Sequence, residues 1–234
     1  MSEKKMCSAV LVAAGKGERF GADIPKQFVE VNGRPLLYYS LKALCECDII
    51  DEVIIVTSEE WIEFCAEEIV RKYGFDKVDG IVLGGDTRCD SVRAGVMVCD
   101  IASDYVFIHD GARPLLTGDI IRRGYETVLK YDTAVAAVPS TDTIKIVDSE
   151  KVVISTPDRR SLWRVQTPQI FKYDLILRAY FDLTDEDREI ITDDAMLIER
   201  KTDVPVHLFE GSEDNIKITT RQDIEVAASK LKKV

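Results

Sequence analysis

The chain has 234 residues, a formal net charge of −11, 46% apolar residues and 31% charged residues. That length holds one large α/β domain with a sizeable core, and the composition is that of an ordinary globular chain. The acidic balance argues against bulk nucleic-acid binding, which needs a basic face. The six cysteines show no C-x-x-C spacing and there are only two histidines, so no His/Cys zinc site is expected and a reducing compartment fits best.

Ser8 to Ala14 reads as a buried parallel strand that runs into a glycine-spaced loop, Gly15-Lys16-Gly17-Glu18-Arg19-Phe20-Gly21, with Lys26 five residues further on. Small residues let backbone approach a ligand, and free N–H groups there cradle anions. Three cations in this stretch, Lys16, Arg19 and Lys26, point to a nucleotide triphosphate; a tight turn with solvated basic residues is the competing account. The loop is neither a Walker A motif nor a dinucleotide fingerprint, since Phe20 stands where the third glycine belongs.

Periodicity predicts a helix over 34–45, a strand over 52–57, a capping box at Thr57 to Glu60 opening a helix that ends near Gly74, and a strand over 77–83. A helix over 91–99, a strand over 105–109, a helix over 117–131 and a strand over 133–138 continue the alternation. This order implies a three-layer, Rossmann-like nucleotide-binding α/β fold: a mainly parallel sheet with helices on both faces, and ligands beyond the carboxyl ends of the strands.

The alternation breaks after Pro139. Residues 141–148 and 151–155 read as a β-hairpin turning at Asp148 to Glu150, an inserted arm at about 139–160 that packs on a partner subunit or projects into solvent. The chain returns through Val165 to Phe171 to helices near 174–181 and 193–200, strands over 204–209 and 216–218, and a final helix capped by Thr220-Arg221-Gln222-Asp223. Residues 1–234 are expected to be a single domain with its arm. No apolar run approaches the ~18 residues of a membrane span and no signal-like apolar stretch precedes the first strand, so a cytoplasmic protein without membrane partners is expected.

Two further loops carry candidate chemistry. Asp110, at a strand end in His109-Asp110-Gly111-Ala112-Arg113-Pro114, suits a metal ion or a ribose hydroxyl, or merely caps the turn. Arg113 holds that turn or reaches a phosphate. In Gly84-Gly85-Asp86-Thr87-Arg88-Cys89-Asp90-Ser91 the glycines allow approach to a flat base, and Ser91 bonds a base edge or acts as an N-cap. Lys217, between Ile216 and Ile218, is a solvated strand residue unless it faces the same crevice.

These loops, with Pro25-Lys26-Gln27, Thr141 to Lys145, Gln166-Thr167-Pro168-Gln169, Thr192-Asp193 and Asn215-Ile216-Lys217, occur in an order that resembles the 2-C-methyl-D-erythritol 4-phosphate cytidylyltransferases over nearly the whole chain. The resemblance implies transfer of CMP from CTP to 2-C-methyl-D-erythritol 4-phosphate with release of pyrophosphate, in non-mevalonate isoprenoid biosynthesis. It also implies Mg²⁺ and a homodimer whose arms embrace. By motif, it gives Arg19, Lys26, Arg159 and Lys217 catalytic roles. Ala13, Ala14, Gly15, Gly17, Gly85, Asp86, Arg88, Ser91 and Asp110 would bind the nucleotide. Asp110, Arg113, Thr143, Arg159, Thr192 and Lys217 would bind the acceptor, Thr143 and Arg159 in the neighbouring subunit's site. Asp110 is the one candidate metal ligand, with the ion held mainly by the triphosphate. A ribitol-5-phosphate cytidylyltransferase of teichoic-acid synthesis is the closest alternative, suggested by Leu183 to Thr192; a catalytically silent CTP sensor and a dehydrogenase are more distant ones.

Overall fold

In the computed structural model, which describes residues 4–15 and 24–231, strand β1 (Cys7–Val12) lies in the interior of a seven-stranded sheet, beside its central strand. After it come a short 3₁₀ turn (Lys26–Phe28), the small ladder β2 (Glu30–Val31) with β3 (Arg34–Pro35), and helix α1 (Leu36–Glu46). Strand β4 (Glu52–Thr57) pairs parallel with β1, and β5 (Val78–Leu83) pairs parallel with β4. Helix α3 (Arg88–Val96) then carries the chain back to the other side of β1, where β6 (Tyr105–Asp110) pairs parallel with it. The reversal of direction at β1 and β6 opens a crevice at their carboxyl ends, the usual ligand site of such sheets.

Between β4 and β5 the helical segment starts as a 3₁₀ turn (Glu59–Trp61), continues as α2 (Ile62–Phe64) and finishes in π geometry (Cys65–Arg71). The expected capping box is absent. Thr57 is the fully buried last residue of β4, and the Ser58 hydroxyl meets the Glu60 carboxylate instead of a helix N–H. Helix α3 begins three residues before the expected start at 91, with Thr87 and Asp90 as its reciprocal capping box, and Thr117 caps α4 (Gly118–Tyr131).

Strand β7 (Thr133–Pro139) leads into the arm, β8 (Ile146–Val147) against β9 (Val153–Ser155), with the Asp148 carboxylate accepting from the Glu150 and Val152 N–H groups at the turn. The segment that returns from the arm is a full ten-residue strand, β10 (Trp163–Lys172), antiparallel to both β6 and β7 and inserted between them. Its register shifts between Val165 and Gln169, a bulge that accommodates Pro168 and turns Gln166 and Thr167 toward the crevice. Helices α5 (Tyr173–Phe181), α6 (Asp185–Ile190) and α7 (Asp194–Lys201) follow, then β11 (Leu208–Glu210), parallel to β7, and α8 (Arg221–Leu231). Helix α6 has no counterpart among the sequence expectations. The expected strand over 216–218 is irregular chain outside the sheet, with the Ile218 N–H on the Ala112 carbonyl and the Ile216 N–H on the Asp214 carbonyl.

The sheet separates two cores, which is why β1, β4 and β6 read as unbroken apolar runs. Ala9, Leu11, Ile55 and Phe107 face α1 and α4, whereas Val10, Val56, Val106 and Ile108 face α3, α5 and α7. Each of the Val, Leu, Ile and Phe side chains among them contributes about 1.5–3 kcal/mol when fully buried.

Candidate active site

The glycine-led loops converge on a cleft of about 780 Å³ beyond the carboxyl ends of β1, β4, β5 and β6. Ala13, Ala14, Gly15 and Lys26 line one side; Gly84, Gly85, Asp86, Thr87 and Ser91 line the other. The side-chain amide of Gln27 donates to the carbonyls of Ala13 and Gly15, the latter at 2.9 Å, and so fixes where the loop leaves β1. Across the cleft the Ser91 hydroxyl accepts from the Gly85 N–H at 3.2 Å and donates to the Thr87 carbonyl at 3.0 Å. Ser91 therefore braces the glycine turn, while the N-cap of α3 is Thr87. A Cβ on Gly84 would run into Ala14 and the Ser91 hydroxyl, so the two walls meet here because Gly84 lacks a side chain; one on Gly85 would run into Asp90 on its own wall.

The far wall is an island of charge around Asp110. Its carboxylate takes Arg88 Nε at 3.2 Å on Oδ1; Lys217 Nζ at 2.8 Å and Arg113 Nε at 3.8 Å lie on Oδ2. Burial pushes the Asp110 carboxyl up, but Arg88, Lys217 and Arg113 together outweigh it and hold the group well below the usual carboxylate range. Behind it, fully buried His109 bonds the Arg113 carbonyl through Nε2 at 3.2 Å and the Thr167 hydroxyl through Nδ1 at 3.0 Å. Burial pulls this imidazole down to about 4, leaving it neutral at pH 7. Nε2–H then donates to Arg113 and Nδ1 accepts from Thr167, whose oxygen accepts from the Asp110 N–H at 3.1 Å.

A second cavity of about 240 Å³ adjoins the cleft and shares Arg88, Asp110 and Lys217 with it. Arg113, Gln166, Thr167, Gln169, Thr192 and Asp193 are its other polar lining residues, beside Val165. Gln169 holds the start of α7 by accepting from the Ala195 N–H and donating to Asp193, and Asn215 ties the Lys217 segment to the Thr167 carbonyl.

Twelve of the candidate site residues line one cavity or the other: Ala13, Ala14, Gly15, Lys26, Gly85, Asp86, Arg88, Ser91, Asp110 and Lys217 the cleft, and Arg113 and Thr192 the second cavity. Lys16, Gly17 and Arg19 lie outside the described residues. Thr143 and Arg159 sit exposed on the arm, with Arg159 Nη1 donating to the Thr141 carbonyl, and line neither cavity of their own chain. Arg88 differs from a simple nucleotide ligand: its fork is bidentate on Asp194, at 3.1 and 2.8 Å. Gln27, Thr167, Gln169 and Asp194 escape the sequence reading as site-builders, although Gln27 and Gln-Thr-Pro-Gln stood in quoted motifs. Their polar side chains act on backbone remote in sequence, which no local pattern reveals.

Among the described residues no three His, Cys, Asp or Glu side chains cluster as a metal cage. Asp110, the candidate metal ligand, has both oxygens committed to cations, so this donor set does not by itself fit Mg²⁺.

A mostly parallel sheet with a polar, glycine-walled cleft at its reversal point, cationic on one side and joined to a second anion-suited cavity, defines a nucleotide-binding enzyme of the nucleotidyltransferase kind. The family profile described as "IspD: 2-C-methyl-D-erythritol 4-phosphate cytidylyltransferase" matches residues 7–233. The chain is 44% identical over 228 residues to a 2-C-methyl-D-erythritol 4-phosphate cytidylyltransferase of Lachnospira eligens, covering 97% of this chain and 100% of the relative. It is 43% identical to one of Caldanaerobacter subterraneus, with 97% and 99% covered. In structure it is similar to the 4-diphosphocytidyl-2C-methyl-D-erythritol synthase of Anaerococcus prevotii, at a TM-score of 0.84 and 31% identity over 98% of this chain and 97% of that one. The chain belongs to the 2-C-methyl-D-erythritol 4-phosphate cytidylyltransferase family. The ribitol alternative is not favoured by these matches.

Proposed function

We propose that the chain transfers CMP from CTP to 2-C-methyl-D-erythritol 4-phosphate, with the larger cleft as the CTP site and the smaller cavity as the acceptor site. The observation that carries this division of labour is the shared wall of Arg88, Asp110 and Lys217, which sets two anion-suited compartments side by side. An acceptor phosphate oxygen attacks the α-phosphorus of CTP, the bond from that phosphorus to the bridging oxygen breaks, and pyrophosphate leaves. The acceptor is already an oxyanion at pH 7, so no general base is needed, and catalysis comes from positioning and neutralisation of charge.

In this reading Lys26 and Arg19 stabilise the charge that grows on the triphosphate, and Lys217 bridges donor and acceptor. Ala13, Ala14, Gly15, Gly17, Gly85, Asp86 and Ser91 hold the nucleotide. Asp110, Arg113, Thr192 and Lys217 hold the acceptor. The divalent ion travels with the triphosphate, whose oxygens supply most of its ligands, since Asp110 is already paired.

The arm supports a homodimer. Ile146, Val147, Val152, Val153 and Ile154 are exposed on a two-stranded ribbon too small to bury them alone. Paired across a dimer, the arm carries Thr143 and Arg159 into the neighbouring subunit's acceptor cavity. No helix among the described residues is long and apolar enough to cross a membrane, and a cytoplasmic enzyme is the reading we adopt.

The decisive assay is pyrophosphate release with CTP and Mg²⁺, given either 2-C-methyl-D-erythritol 4-phosphate or ribitol 5-phosphate alone. Turnover with the first acceptor supports the assignment. Turnover with ribitol 5-phosphate only, or with neither, overturns it.

A further inference from the structure

The Arg88 guanidinium stands between two carboxylates; its side edge pairs Nε with one Nη, and its tip pair, Nη1 with Nη2, can serve only one of them. Asp194, at the first position of α7 and 1% exposed, has that pair: Nη1 reaches Oδ1 at 3.1 Å and Nη2 reaches Oδ2 at 2.8 Å. The Tyr180 hydroxyl, buried in α5, donates to the same Oδ1 at 2.6 Å and fixes the carboxylate in place. Burial and the adjoining Asp194 charge both keep that phenol protonated. Arg88 is left with Nε alone for Asp110, on Oδ1 at 3.2 Å. The second oxygen of Asp110 thus stays available to Lys217 at 2.8 Å.

Either edge of a guanidinium can bind a carboxylate bidentately. By holding the tip, Asp194 sets the angle at which only Nε of the side edge meets Asp110; released, the guanidinium is free to turn a full pair onto both Asp110 oxygens. We propose that Asp194, set by Tyr180, is a positioning residue: by occupying the Arg88 fork it keeps the outer oxygen of Asp110 for Lys217, and so holds Lys217 at the partition between the two cavities. The inference rests on the reading of that partition as the junction of CTP and acceptor. It makes Arg88 a strut of the wall, with its charge spent on two carboxylates and not on triphosphate. Asp194 touches neither cavity and acts only through Arg88.

The test compares Asp194→Asn, Tyr180→Phe and the double variant Asp194→Asn with Arg88→Gln. For each, kcat, the KM of CTP, the KM of the acceptor and Tm are measured, and the Asp194→Asn protein is crystallised without substrate. In Asp194→Asn the freed fork is expected on both Asp110 oxygens, with Lys217 Nζ moved out of hydrogen-bond reach. Displacement of about 1 Å at a reacting centre costs on the order of a hundredfold, so kcat should fall about ten- to a hundredfold while the KM of CTP stays within about twofold. Removing the fork as well, in the double variant, should restore most of the lost kcat. Tyr180→Phe, which leaves the ion pair whole, should lower Tm with a smaller change in kcat.

A purely structural Asp194 would lower Tm and leave the split between kcat and KM unmoved. A double variant no faster than the single one, or a Lys217–Asp110 contact still intact in the Asp194→Asn crystal, overturns the inference. If Asp194→Asn does not fold, Asp194→Glu displaces the same carboxylate by one methylene and faces the same crystallographic criterion. A wild-type enzyme inactive with both acceptors would refute the proposed reaction, while the position of Lys217 in the crystal would still decide this inference.

Discussion

Acidification should loosen this protein through one residue, His109. Its ring is fully buried, and burial holds its pKa at about 4 against an ordinary 6.5. A histidine kept neutral in the fold binds its proton more readily once unfolded, so the unfolded state gains protons first as pH falls. Stability is then fully present above pH 6.5 and is lost between 6.5 and about 4. From these two values, moving from pH 7.5 to pH 5 removes about 2 kcal/mol of unfolding free energy. The paired carboxylates add little in this window, because Asp110 and Asp187 are held below the usual range and protonate only at lower pH. Equilibrium urea unfolding at several pH values between 7.5 and 5 measures the slope. In His109→Gln, which keeps one donor and one acceptor toward Arg113 and Thr167, most of the slope should vanish. An equally steep slope in that variant, or a flat one in the wild type, would refute the reasoning. Because Thr167 also accepts the Asp110 N–H, the KM of the acceptor should rise only as pH approaches about 4, where the folded protein's His109 itself takes up a proton.

Other perturbations address the site directly. Lys26→Ala should lower kcat more than a hundredfold while keeping the fold, in line with the ~3–4 kcal/mol lost with one transition-state donor, and steady-state kinetics with circular dichroism check both halves. Arg159→Ala should raise the KM of the acceptor more than that of CTP; equal losses for both ligands count against its place on the acceptor. Gly84→Ala places a methyl against Ala14 and the Ser91 hydroxyl, so calorimetry should find CTP binding weakened at least about tenfold with the melting transition still cooperative.

Much of the scaffold was legible in the sequence because burial on both faces writes itself as unbroken Val and Ile runs. The strands at 52–57 and 105–109 emerged at or within one residue of their bounds for that reason. Strand β10 was not legible as a strand: Pro168 interrupts its ladder, and only the neighbours β6 and β7 supply partners for the residues on either side of the bulge. The segment around Lys217 failed the other way. Ile216 and Ile218 alternate like a strand, yet the segment joins no sheet: the Ile218 N–H bonds the Ala112 carbonyl and the Ile216 N–H turns back to Asp214. Asp110 and Arg113 were visible as a charged strand end, but nothing local announced that Lys217, about a hundred residues later, would meet them.

Composition and local pattern alone determined the alternation of strands and helices, the glycine turns, the cap at Thr220 and the presence of a projecting hairpin, since each depends on neighbours within a few positions. The order of charged motifs along the chain determined the family. Tertiary structure decided which cations share a carboxylate, that Arg88 turns its fork to Asp194, and that one wall serves two cavities. Those outcomes depend on distance and burial between elements far apart in the chain, where the strength of a charge pair is set by the fold around it.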